Sequence, residues 1–257
     1  VKNSETRIAK LIEVALRRYD MIQEGDRILV AASGGKDSTT LAWDLARKQR
    51  WWPVHFEMLA LHISSDFAKP EEEAVLRTLM DGWNIPYRNI SVPVMGRLKP
   101  GRRMNCYWCS TQRRTELLRY AMANGFNKIA LGHHLDDIVE TLIMNMLYKG
   151  EISTMLPVLK YDKYPVEIIR PLALCEEREI IAFAEDAGFR AFTCHCDYGS
   201  DSKRKIARER IKELTGGSSE LKHNLYNSMF KVNSAYLPGL NRQSPPGAEE
   251  AGDIIHI

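Results

Sequence analysis

Three groups of residues in this chain have the types and spacing that chemistry needs. The first is Ser33-Gly34-Gly35-Lys36-Asp37-Ser38, which follows the apolar run Ile28 to Ala32. Two glycines let backbone N–H groups turn inward around an anion, and a helix starting at this point adds partial positive charge. Phosphate is the expected guest. The spacing matches neither the Walker loop, whose first glycine stands farther from its Gly-Lys pair, nor the dinucleotide Gly-x-Gly-x-x-Gly pattern, so another kind of nucleotide loop is indicated. The second group pairs Cys106-Tyr107-Trp108-Cys109 with Cys194-His195-Cys196. A two-residue gap lets two thiolates reach one metal, so spacing alone favours a closed four-cysteine zinc site, with a redox couple as the other reading. The third is Gly132-His133-His134-Leu135-Asp136-Asp137, between the apolar run Ile129-Ala130-Leu131 and a helical pattern. One aspartate there would simply cap the helix. Two adjacent carboxylates beside two histidines favour a functional role.

The elements that must position these groups can be read from periodicity. Apolar residues at three- and four-residue steps over 3–23 predict a leading amphipathic helix, and the continuous run Ile28 to Ala32 suits a strand covered on both faces. A helix beginning near Asp37 or Ser38 and a strand over Phe56 to Ile63 follow. Further helices are expected over Pro70 to Asn84, Arg113 to Gly125, Leu135 to Tyr148 and Glu176 to Ala187, with strands over Arg88 to Val92, Lys128 to Leu131 and Glu167 to Arg170. Such alternation implies an α/β fold, a doubly wound parallel sheet with helical appendages, whose ligands sit beyond the carboxyl ends of the strands. Both polar loops fall there. The expected organisation is a leading helix (1–25), a main domain (26–237) that includes the cysteine site, and a flexible Pro- and Gly-rich tail (238–257) without a catalytic role.

Composition excludes some classes. Of 257 residues, 44% are apolar and 27% charged, ordinary values for a globular chain, and no apolar run is long enough to span a membrane. The start lacks the layout of a signal peptide, and five cysteines form an odd set, so a reducing, cytosolic setting is expected. Cys175, on an apolar stretch, reads as a small core residue. A net charge of +3 names no partner by itself. The cations are nevertheless clustered: Arg102, Arg103, Arg113 and Arg114 flank the first cysteine pair, and Lys203, Arg204 and Lys205 follow the second. Converging basic runs would suit a folded RNA, with Tyr107 or Trp108 stacking on an extruded base.

The glycine loop resembles that of the PP-loop ATP pyrophosphatases, an adenine nucleotide alpha hydrolase-like family that splits ATP between its alpha and beta phosphates and adenylates a substrate. That resemblance implies that Ser33, Gly34, Gly35, Lys36 and Ser38 cradle phosphate and that Asp37 orders the loop or holds magnesium. It also implies that His62, Gly132 and His133 line the ATP site, with Lys36, Asp37, Asp136 and Asp137 catalytic. The loop, Cys106 and Cys109 with Ser110 and Arg113-Arg114, the Gly132 to Asp137 motif, Arg170-Pro171-Leu172 and the Cys194 region together narrow the resemblance. Over nearly the whole chain to about Leu237 it is similar to the tRNA-thiolating branch, near the tRNA 2-thiocytidine biosynthesis proteins. This implies a 4Fe-4S cluster on three cysteines, Cys106, Cys109 and Cys194. The family's third ligand starts a Cys-x-x-Cys where this chain has Cys-x-Cys, so Cys196 is the alternative third ligand. The implied reaction is ATP- and Mg2+-dependent replacement of a base carbonyl oxygen, on cytidine in tRNA, by sulfur from a cysteine desulfurase or sulfide, with a homodimer left open. Rival readings are a lysidine- or amide-type ligase of the same family, and a non-catalytic metal-stabilised module that binds RNA and nucleotide. For His134 the resemblance leaves open a contact with phosphate or with substrate.

Overall fold

The computed structural model describes residues 2–161, 164–189 and 202–237. In chain order the elements are α1 (Lys2–Arg18), β1 (Asp26–Ala31), α2 (Lys36–Lys48), β2 (Phe56–Ser65), α3 (Pro70–Gly82), β3 (Tyr87–Val92), α4 (Cys106–Ala123), β4 (Lys128–Ala130), α5 (Leu135–Lys149), β5 (Val158–Lys160), β6 (Glu167–Ile169), α6 (Glu177–Asp186), α7 (Ser202–Thr215) and α8 (Ser219–Ser228). A short 3-10 turn, Ser234–Tyr236, follows. The described residues divide into two compact units, one within Val1–Ile138 and Leu156–Ser202, the other within Val139–Met155 and Lys203–Ile257. The expected tail over 238–257 lies outside the described residues.

The sheet belongs to the first unit, with strand order β3-β2-β1-β4-β6-β5. The expected parallel sheet is present through β3, β2, β1, β4 and β6, and the unforeseen β5 pairs antiparallel with β6 at the edge. Three residues are too few to show a period in the sequence. Alternate strand residues Leu29, Leu61, Ile63, Ile129, Leu131 and Ile168 meet Leu117 and Ala121 of α4 in one core cluster. Their neighbours Ile28, Val30, Ala60, Ala130 and Ile169 are equally buried, so apolar side chains cover both faces. Each such Leu or Ile contributes about 1.5–3 kcal/mol over its exposed state.

Helix ends depart from the periodic reading for identifiable reasons. The leading helix stops at Arg18 rather than near residue 23, because Asp20 takes φ +47° and Met21 N–H donates to Leu16 O (3.0 Å), a left-handed termination. The chain then continues inward, so Met21 and Ile22 are buried although they lie outside the helix. Asn84 ends α3 in the same way, at φ +58° with Ile85 N–H on Met80 O (2.9 Å). The helix expected from Arg113 begins at Cys106, because the Asn105 side chain accepts the Trp108 N–H (2.8 Å) and caps it.

The second unit contains the rest of α5 with α7 and α8, and neither of the last two helices is among those expected from periodicity. Among its described residues the buried charge is Glu140, 1% exposed, which accepts a hydrogen bond from Arg208 Nε (2.7 Å) with Arg204 Nε at 3.8 Å.

Candidate active site at the switch of the sheet

Chain order reverses between β1 and β4, which lie side by side and parallel. Loops leaving adjacent strands at such a point turn to opposite faces and open a crevice beyond the carboxyl ends. Ser33 to Ser38 leaves β1 and Gly132 to Asp137 leaves β4, so the first unit itself brings the two sequence motifs together.

Gly34 sits at φ +88°, where a side chain would be strained, and Gly35 is the N-cap of α2. Lys36, Asp37 and Ser38 therefore form the helix's first turn, whose N–H groups have no carbonyl a turn earlier. Ser33 and Ser38 hydroxyls lie 3.0 Å apart, and Ser38 Oγ donates to Gly35 O (3.1 Å). Opposite, a Cβ on Gly132 would stand 3.0 Å from Ser38 N, so the β4 loop leans on the glycine turn as closely as backbone can. This cradle suits a phosphate.

The charged groups gather around it. Lys36 Nζ lies 3.0 Å from Glu177 Oε1 at the start of α6 and 3.4 Å from the Asp37 carboxylate. Burial alone would lower the Lys36 pKa, but Asp37 and Glu177 raise it above its ordinary value. Burial also raises the Asp37 carboxyl, against the opposing pull of His134 and Lys36. Its Oδ1 is buried with no hydrogen-bond partner among the described residues. A buried acceptor in that condition fits a cation such as magnesium, which takes one or two carboxylates and fills its remaining positions with water and phosphate.

Asp137 Oδ2 accepts the His134 N–H (3.1 Å) and His134 Nδ1 accepts the Asp137 N–H (3.4 Å), a reciprocal pair in which His134, not an aspartate, sits at the start of α5. Asp136 Oδ2 accepts the Glu177 N–H (2.7 Å). His134, 3% exposed, stands between the carboxylates, with Nε2 3.4 Å from Asp137 and 3.9 Å from Asp37. His62 is 6% exposed and donates Nδ1–H to Ala32 O (2.6 Å), pinning the end of β1 from β2. Desolvation lowers its pKa, which favours the neutral ring. His133 Nδ1 accepts from Arg170 Nε (3.2 Å).

Two contributors escape a reading of the sequence. Glu177 looks like an ordinary acidic residue in a helix's first turn, and Arg170 stands out only as part of a motif. Partners more than 30 positions away define both. No local signal reveals such pairs.

Cys106 and Cys109 occupy the first turn of α4, three residues apart and hence on one helix face, Cys106 exposed and Cys109 half-buried. The helix end's partial positive charge suits thiolate ligands. Trp108 Nε1 donates to Val94 O (3.2 Å), just past β3, which fixes this turn on the carboxyl-end side of the sheet. Trp108 also packs, partly buried, against the core cluster, whereas Tyr107 is 60% exposed. Farther along α4, Arg113 acts electrostatically on His62, and Arg114 on Arg170 and Tyr161. Arg102 and Arg103 are exposed just before α4. Cys194 and Cys196 lie outside the described residues, and among the described residues no three His, Cys, Asp or Glu side chains are grouped to hold a metal. Cys175 is fully buried, and burial raises its thiol pKa well above the ordinary value. Lys203 and Lys205 are exposed on α7, Lys203 Nζ lying 5.1 Å from the Tyr148 ring centre.

The crevice and its glycine turn define a PP-loop nucleotide-binding domain, and that family matches residues 2–215. Within it, the tRNA-cytidine(32) 2-sulfurtransferase of Coxiella burnetii is 34% identical over 241 residues, covering 92% of each chain. The enzyme of that name from Syntrophotalea carbinolica is 35% identical over 236 residues, 90% of this chain and 91% of the relative. The chain therefore belongs to the PP-loop family, in the branch of the tRNA-cytidine(32) 2-sulfurtransferases. Among solved structures, the U34-tRNA thiolase NcsA from Methanococcus maripaludis, determined with its 4Fe-4S cluster, superposes with a TM-score of 0.75 at 20% identity over 90% of this chain and 80% of that one. That likeness supports the fold. No helix among the described residues is long and apolar enough to cross a membrane.

Proposed function

We propose that this protein is an ATP-dependent tRNA sulfurtransferase that replaces the 2-carbonyl oxygen of a cytidine with sulfur. The observation that carries this reading is that a phosphate cradle, Asp37 beside it and a two-cysteine helix turn all lie toward the carboxyl ends of the strands of one sheet. A ligase that attaches an amine needs the first two features and not the third.

In this reading the triphosphate lies against the first turn of α2, with Lys36 neutralising phosphate oxygens and Ser33 and Ser38 donating to them. Asp37 Oδ1, with Asp136 or Asp137, would hold a magnesium ion, which would neutralise the remaining phosphate charge. The base oxygen attacks the alpha phosphorus and pyrophosphate leaves. Adenylation turns a poor leaving group into a good one. A sulfur nucleophile then attacks the activated carbon, and AMP departs with the former carbonyl oxygen. Cys106, Cys109 and a third cysteine, Cys194 or alternatively Cys196, would hold a 4Fe-4S cluster, which would supply the sulfide for this attack. Lys36, prepaired with Glu177, presents its ammonium before ATP arrives, which lowers the ordering cost of binding.

Arg102, Arg103, Arg113 and Arg114 in the first unit and Lys203, Arg204 and Lys205 in the second are assigned to tRNA phosphates. Arg204 does this alongside its pairing with Glu140. A cysteine desulfurase or free sulfide is the sulfur source, the cytosol the location and a homodimer the assembly under this proposal. The test is pyrophosphate release with and without tRNA. Release that depends on tRNA and Mg2+ is expected, and ATP binding without turnover would leave only a nucleotide-binding module.

A further inference from the structure

Arg170 is a buried guanidinium, 2% exposed, just beyond β6, where Leu131 N–H donates to Ile169 O (2.9 Å) and so ties that end to the end of β4. Its Nη1 donates to Leu156 O, its own N–H to Pro157 O (2.9 Å), and its Nε points to His133 Nδ1 at 3.2 Å. A guanidinium has donors only, so the imidazole nitrogen facing it must present a lone pair. Protonation at that nitrogen would set N–H against N–H beside a cation. The single ring proton therefore resides on Nε2. His133 adjoins Gly132, which leans on Ser38 N in the phosphate cradle.

We infer that Arg170 is a positioning residue that holds His133 as a neutral ring and makes its Nε2–H a fixed donor to a phosphoryl oxygen of the bound nucleotide, neither a base nor a cation. This rests on the ATP-using reading above only for the identity of the acceptor. Burial lowers the Arg170 pKa to about 10, which leaves the guanidinium charged near neutrality, and Asp137 and Tyr161 act to keep its proton while Arg114 opposes them. The assignment explains why a buried arginine stands beside an anion-binding crevice with its Nε turned to a histidine. Its charge reaches the ligand through the ring it fixes.

Imidazole nitrogen NMR on the full chain with 15N-labelled histidine tests this, the His133 signals being identified by their loss in His133→Gln. The expected pattern is an Nε2-protonated, Nδ1-unprotonated ring that persists between about pH 6 and 8, across the range where an unheld histidine titrates. Arg170→Met should convert it to a mixture of tautomers that titrates in that range. A wild-type ring protonated at Nδ1 overturns the inference even if the Arg170 variant does not fold. In ATP cleavage, His133→Gln keeps an N–H near the Nε2 position and His133→Asn does not, so kcat/KM for ATP should be about 10-fold higher for the Gln variant. KM for tRNA should be equal in both. Equal or reversed kcat/KM values would remove the donor role. The NMR pattern depends on no reaction, so a chain that shows it yet fails to thiolate tRNA refutes the proposed function and leaves the tautomer assignment standing.

Discussion

Cys106 and Cys175 share a side chain and differ in every physical respect that decides reactivity. Cys106 is exposed on the first turn of a helix, whereas Cys175 is fully buried and its backbone carbonyl accepts the Leu135 N–H (2.9 Å). Cys106→Ala should abolish sulfur insertion and remove bound iron while ATP binding persists, measured by nucleoside analysis, iron content and nucleotide titration. Cys175→Ala keeps its backbone bond and should cost about 1–2 kcal/mol of stability, with thiolation retained. The sequence alone separates these cysteines through the apolar run before Cys175. It does not show that Asp37 carries a buried oxygen without a hydrogen-bond partner among the described residues or that Lys36 reaches Glu177, because such facts depend on which loops the sheet brings together. Loops from adjacent strands are remote in sequence.

At the scale of elements, the long helices are legible because their apolar residues repeat at the right period, as in α1, and the central strand β1 because its apolar run is continuous. The start of α4 is not. Polar and aromatic residues from Asn105 to Arg114 carry no apolar stripe, and the helix extends through them because Asn105 caps it and Trp108 anchors it to Val94. Asn105→Ala should therefore cost about 1 kcal/mol, lowering Tm by about 2–4 °C, and should loosen the Cys106 turn enough to speed loss of iron to a chelator. Unchanged iron retention would mean that the cap does not govern that turn. Gly132→Ala probes the close approach of two loops. The methyl group would meet Ser38 N at 3.0 Å, so the cradle must open. Overpacking of about 1–3 kcal/mol should appear as an ATP KM raised about 10-fold, with KM for tRNA little changed.

For the whole molecule, net charge conceals distribution. A charge of +3 over 257 residues names no partner, yet α7 alone carries Lys203, Arg204, Lys205, Arg208, Arg210 and Lys212. Arg204 and Arg208 attend the buried Glu140, which leaves Lys203 and Lys205 as the exposed cations at the start of that helix. Replacing both lysines by alanine should weaken tRNA binding and flatten its salt dependence by about one unit of log–log slope for each phosphate no longer neutralised, while ATP binding in the other unit is unaffected. The sequence locates this basic run without showing that Glu140 engages part of it. The same holds throughout the molecule, where motif types are readable and their partners are not. Mass spectrometry of nucleosides from unmodified tRNA, incubated without oxygen with the reconstituted protein, ATP, Mg2+ and sulfide, tests the central claim most directly. The predicted result is 2-thiocytidine formed only when ATP is present and absent with Cys106→Ala. Consumption of ATP with an amine-modified base, or with no thiolated base at all, would contradict it.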